Sequence, residues 1–173
     1  MTDTLIDRDW AVMMARYNAW QNEAQMRAAD ALPPRERERD RGAFFGSIHG
    51  TMSHLLWADL LWLSRLTGTP APEAGLAESP RQEADWGRLQ SRRGETDAAL
   101  AGWAAGLTDE FLRGEVRWRS ASAGGEVALP AGRVVTHVFV HQVHHRGQIH
   151  AMLTAAGARP EATDLFLMPE GAA

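Results

Sequence analysis

Cysteine is absent from this 173-residue chain, which removes disulfides, thiolate metal ligands and a cysteine nucleophile from consideration. No window approaches the roughly 18 consecutive apolar residues that a membrane span needs. The opening MTDTLIDRDW lacks the cationic start and apolar stretch of a secretory leader, so the expected location is the cytoplasm. No basic tail is present and the net charge is −4, so neither nucleic acid nor a membrane is an expected partner. Internal repeats and low-complexity tails are also missing. What remains has the composition of an ordinary globular protein, 45% hydrophobic and 23% charged, at a length suited to one domain with a sizeable core. Residues 1–173 are therefore read as a single domain.

Apolar periodicity predicts four long helices. The first runs from about Asp7 to Leu32, with Trp10, Met13, Met14, Tyr17, Trp20, Gln21 and Ala24 recurring at three- and four-residue steps. Pro33 and Pro34 end it, and the following RERERDRG reads as a solvated charge run. The second, from about Ala43 to Thr67, is apolar on most sides and closes at Gly68. A Pro/Gly/Ala-rich loop follows. The third covers about Arg81 to Leu107, with Trp86, Leu89, Leu100 and Trp103 as inward anchors. Glu115–Arg119 and Glu126–Leu129 flank the turn-rich ASAGG and read as a short hairpin. The fourth starts near Pro130 and ends at Gly157, with Pro160 just beyond. The expected fold is all-α, a four-helix bundle with a β-hairpin before the last helix.

That last helix carries five of the seven histidines, His137, His141, His144, His145 and His150. A four-residue step returns to nearly the same face, so His141 and His145 can grip one divalent ion. With His141 as zero, His137, His144, His145 and Gln148 fall within a sector of about 100°, and Arg146 and His150 point elsewhere, near +140° and 180°. The pair has no intervening Glu in the zinc-protease manner. His54, in the apolar context Met52–Leu56, is the best third ligand, whereas His49 lies about 140° away from it on the same helix. His144, His137 and Gln148 are weak candidates for acid–base or ligand-orienting roles, and otherwise read as packing or rim residues. Trp57, one turn from His54, can wall the cavity. Asn18 and Asn22 read as helix–helix hydrogen-bonding residues, Arg146 as a salt-bridge or helix-end residue. Asp59 is a possible acceptor for a histidine, though about 140° from His54.

Three segments carry a family resemblance. RDRGAFFGSIHGTMSHLLWADLLWLSRL (39–66), HVFVHQVHHRGQIHAMLTAAGARPEATDLFLMP (137–169) and ARYNAWQNE (Ala15–Glu23) resemble the corresponding parts of DinB/YfiT-like proteins, covering nearly half the chain. The resemblance implies an up-down-down-up bundle, often dimeric, with a three-histidine metal site formed here by His54, His141 and His145. It also implies kinship with metal-dependent transferases acting on low-molecular-weight thiols.

Three neutral imidazoles leave a divalent ion open positions and suit zinc, nickel, copper or iron, with zinc or nickel expected first. Such an ion lowers the pKa of bound water or thiol. The expected function is a metal-dependent enzyme of the thiol S-transferase or hydrolase type. The alternative is a non-catalytic metal-binding or stress-response module whose ion is structural. A weaker alternative is sequestration of a small molecule in the bundle cavity. No carboxylate is placed by spacing as a general base beside the pair, which weakens the hydrolase case. No cationic cluster for a thiol cofactor's carboxylates is readable either.

Overall fold

A computed structural model of the chain describes residues 5–120 and 123–171. Four long helices dominate it: α1 (Arg8–Asp30), α3 (Ile48–Thr67), α4 (Trp86–Ala105) and α6 (Ala131–Ala155), with short helices α2 (Pro34–Glu38) and α5 (Asp109–Arg113) between them. Side-chain pairs fix their directions. Asp97 meets Asn18 and Asn22, and Trp86 meets Asp30, so α1 and α4 are antiparallel. Trp10 packs on Phe139 while Arg146 bonds Asn18, so α1 and α6 are parallel. Trp62 meets His137 and His54 meets His145, so α3 and α6 are antiparallel. His49 meets Trp86 and Asp59 meets Arg93, so α3 runs with α4. In chain order the four long helices run up, down, down, up.

Local chemistry sets the boundaries. Asp7, Ser47, Asp85 and Thr108 each accept a hydrogen bond from a first-turn N–H and cap α1, α3, α4 and α5. Two helix starts lie later than the periodicity predicts. The second long helix begins at Ile48 rather than Ala43, because Gly42 and Gly46 turn the chain at φ 71° and 75° and Ala43 bridges Gly46. The third begins at Trp86 rather than Arg81; Ser79–Arg81 instead form a single 3₁₀ turn against α3. The charge run is not wholly solvated. Part of it is α2, from which buried Arg37 donates to the carbonyls of Ala29, Asp30 and Leu32. Its guanidinium bonds carbonyls at and just past the C-terminal end of α1 and lies 4.4 Å over the Trp86 ring.

Strands β1 (Glu115–Ser120) and β2 (Gly125–Pro130) pair antiparallel with Trp118 opposite Val127. Ala121 and Ser122 of the predicted turn lie outside the described residues. The core is in three apolar clusters: Ile48, Leu55, Leu56, Leu89 and Leu153 at one end, Ala11, Ala104 and Phe139 toward the other, and Trp62, Leu100, Val134 and Val138 beneath the hairpin.

A polar belt crosses the bundle between them. Arg93 pairs with Asp59 at 2.7 Å and with Asp97 through Nε and Nη2 at 3.1 and 2.9 Å. Asn18 and Asn22 donate to the same Asp97 oxygen, Asn18 accepts from Arg146, and Gln25 donates to the Arg146 carbonyl. Burial pushes the Asp59 carboxyl up to about 6, and the Arg93 charge beside it opposes that shift.

Candidate metal centre

The inward sector of α6 is set by Val134, Val135, Val138, Ile149 and Leu153, all buried. Their mean direction lies about 80° from His141 on the helical wheel, so the helix is turned from the histidine-centred orientation. His145 faces inward and His141 sits on the boundary, while His137 and His144 are exposed. Arg146, expected to point away as a salt-bridge or helix-end residue, is instead buried in the polar belt, and Gln142 is fully buried near Asp59. The histidine-centred wheel used the polar residues as its reference, whereas apolar burial decides how a helix is turned.

Despite that rotation, His54, His141 and His145 come together. Each offers a ligand atom, and these atoms all lie within 4.8 Å of one another. Nitrogens bound tetrahedrally to zinc at about 2.0–2.1 Å stand about 3.4 Å apart, so the three are within small adjustments of a common ion.

Hydrogen bonds fix which nitrogen each ring presents. Ser79 Oγ donates its one proton to the Leu76 carbonyl at 2.7 Å. It therefore accepts from His54 Nδ1 at 2.8 Å and leaves Nε2 as a lone pair. That Nε2 is buried and has no hydrogen-bond partner. An orphaned buried acceptor is costly, and a cation at this point satisfies it. His145 Nδ1 donates to Gln148 Oε1 at 2.7 Å, which turns its Nε2 toward His141 Nε2, 3.1 Å away. Both buried rings thus have an orienting acceptor of the kind that metal-binding histidines require.

Electrostatics hold the rings neutral, the form a metal needs. Burial, reinforced by His145 and His141, pushes His54 down to about 3. His141 is pushed to about 4 by burial and then by its histidine neighbours. His145 is also lowered by burial, against an opposing pull from Gln148. Phe45 stacks on His54 with centroids 3.7 Å apart and lies 5.4 Å from His145, so the loop before α3 covers the centre. Trp57 stacks on His54 at 5.6 Å and donates its indole N–H to the Ala74 carbonyl.

The remaining expected residues separate clearly. Gln148 orients His145 and approaches His144 Nε2 at 3.3 Å. His137 packs edge-on against Trp62 and stands 5.8 Å from the His141 ring. His49 faces elsewhere, bonded to the Glu83 carbonyl. Asp59 orients no histidine: its carboxylate is engaged by Arg93. Ser79 and Phe45 escaped sequence reasoning. One lies 25 residues from its partner in a loop without periodicity, and the other falls in a stretch read as helix.

Fold and centre together define an all-α bundle with a buried tri-histidine cluster of metal-binding type. A sequence model of the DinB family matches residues 1–172, and the chain belongs to the DinB family. It is 26% identical over 161 residues to Protein DinB of Bacillus subtilis (strain 168), covering 92% of this chain and 93% of that protein. No helix among the described residues is long and apolar enough to cross a membrane.

Proposed function

We propose that His54, His141 and His145 ligate a divalent ion, zinc or nickel in the first instance, and that the chain is a metal-dependent enzyme of the thiol S-transferase type. The observation that carries this reading is the orphaned His54 Nε2, aimed at two further imidazole nitrogens. The cluster found among the described residues supplies three ligands, one fewer than closed structural sites usually have. When bound, such an ion lowers the pKa of a coordinated thiol or water. Thiol transfer is favoured over hydrolysis because the buried carboxylates among the described residues, Asp59, Glu83 and Asp97, are each committed to arginines and unsuited to act as a general base.

Elemental analysis of protein purified without an affinity tag tests the first half of the proposal. The expected result is a stoichiometric divalent ion that is lost in His54→Ala, His141→Ala and His145→Ala. Full retention in all three variants would refute the ligand set. A thiol-transfer and esterase panel with that metal restored tests the second half. Turnover in neither assay, with metal bound, would favour the structural-ion alternative.

A further inference from the structure

Residue 50 is a glycine for a reason that lies outside its own helix. A Cβ built there would stand 2.6 Å from the Phe45 carbonyl oxygen and 3.5 Å from Pro80. The loop before α3 and the turn that carries Ser79 therefore close over the first turn of α3, and His54 lies one turn further along. Between them they grip one ring. Ser79 holds its Nδ1, Phe45 stacks on its face with centroids 3.7 Å apart, and Trp57 stacks at 5.6 Å. Phe45 also lies 5.4 Å from the His145 ring, so it covers two of the three imidazoles. It is itself half-buried and Phe44 beside it is exposed, whereas His54 beneath is 2% exposed. This segment is thus the outer cover of the centre.

The cover is bonded to itself. The Arg41 N–H donates to the Gly46 carbonyl at 2.8 Å, the Gly46 N–H to the Ala43 carbonyl at 2.8 Å, and the Ser47 N–H to the Phe45 carbonyl at 2.9 Å. The Gly42 N–H donates to Asp40 Oδ1 at 2.8 Å. Among the described residues no hydrogen bond ties 42–46 to any residue outside 40–47. Gly42 and Gly46, at φ 71° and 75°, stand at its two ends. Lacking a Cβ, they absorb backbone rotations that other residues resist. The segment can therefore lift without breaking a hydrogen bond to the bundle. What holds it down is apolar: Ala43 at the edge of the core, and the Phe45 ring on His54.

We propose that Phe45 is the gate of the metal centre. Residues 42–46 form a lid whose opening sets how fast a divalent ion enters and leaves, while Ser79 and Trp57 keep His54 aligned whether the lid is up or down. This inference rests on the metal-centre reading and adds to it the control of ion exchange. Traffic in both directions passes the same ring. Loss of the ring therefore raises both rates by one factor and leaves their ratio, the dissociation constant, as it was. A residue that merely packed His54 in place would change that ratio.

The test uses full-length protein with cobalt(II) as the probe. Stopped-flow absorption follows uptake by the metal-free chain, and transfer to saturating EDTA gives the release rate. Stacking of this kind is worth a factor of roughly three to ten in the closed-to-open ratio, so Phe45→Ala is expected to speed uptake and release alike by that factor. Gly50→Ala keeps the Phe45 ring but puts a methyl group where its carbonyl sits. Alanine favours a helix over glycine, so this variant folds with its lid displaced, and both rates rise again. Unchanged rates in the folded variants, or a weaker dissociation constant with unchanged uptake, would overturn the gate. Failure of the wild type to take up cobalt sinks the metal reading instead. The lid is then judged on the metal-free protein, by the rate at which diethyl pyrocarbonate modifies His54, read by mass spectrometry. Acceleration in the variants supports it, and no acceleration overturns it.

Discussion

Replacing Ser79 by alanine isolates the contribution of one hydroxyl to the metal centre. Ser79 is fully buried, so no bulk water takes the place of the lost oxygen. In the wild type the hydroxyl receives the His54 Nδ1 proton and keeps the Nε2 lone pair aimed at the cluster. Without it the ring has two options. It can keep Nδ1–H and bury an unpaired donor, at a cost of about 1–3 kcal/mol. Alternatively it can shift the proton to Nε2, donate to a neighbouring imidazole, and so present the ion with a proton it must displace. The second route relieves the metal-free protein alone, so the penalty falls on binding. Loss of an orienting partner of this kind weakens metal affinity about 10- to 100-fold. Competition titration against a chromophoric chelator measures the change, with thermal unfolding of the metal-free variant as a check on folding. An unchanged dissociation constant in a folded Ser79→Ala protein would refute the tautomer argument.

Gln148→Leu removes the acceptor of His145 Nδ1 and is expected to weaken metal binding by a similar factor in the same titration. Arg93→Leu leaves Asp59 and Asp97 without their shared cation. Removing one partner from a buried charge network costs about 3–5 kcal/mol, and urea denaturation showing a loss below about 1 kcal/mol would contradict the described belt. For the metal-free protein, the folded pKa values of His54 and His141 lie near 3 and 4, below the usual value of about 6.5. Their stability contribution is therefore complete above that value and drains away as pH falls toward the folded values. The slope approaches about 1.4 kcal/mol per pH unit for His54, and less for the partly exposed His141. Urea midpoints at pH 7.5 and 5 check this. His49→Ala is expected to leave metal content untouched, since its ring bonds the Glu83 carbonyl.

The architecture was legible because long-period apolar patterns and caps are local signals. The four long helices and the hairpin lie in the segments where periodicity puts them, two of the helices starting later than expected, and the HVFVHQVHHRGQ run already placed His141 and His145 a turn apart on one helix. Two things were hidden. The rotation of α6 depends on which neighbours it packs against, and a polar-rich helix offers two plausible inward faces, so Arg146 reads as peripheral from the sequence. The residues completing the centre come from irregular chain: Phe45 from a turn made by two glycines, and Ser79 from a 3₁₀ turn.

One detail of α6 constrains how the molecule can vary. His141 and His145 serve the centre, and Gln142 and Arg146, the same spacing displaced by a single position, face the charged interior. A one-residue insertion ahead of position 141 would turn this pattern by about 100°, carrying the His145 imidazole toward Asn18 and the Arg146 guanidinium round to the exposed place now held by Gly147. Two unrelated polar systems thus share one helical phase. Changes of length are therefore confined to the connecting loops, and α6 can be redesigned only by substitution.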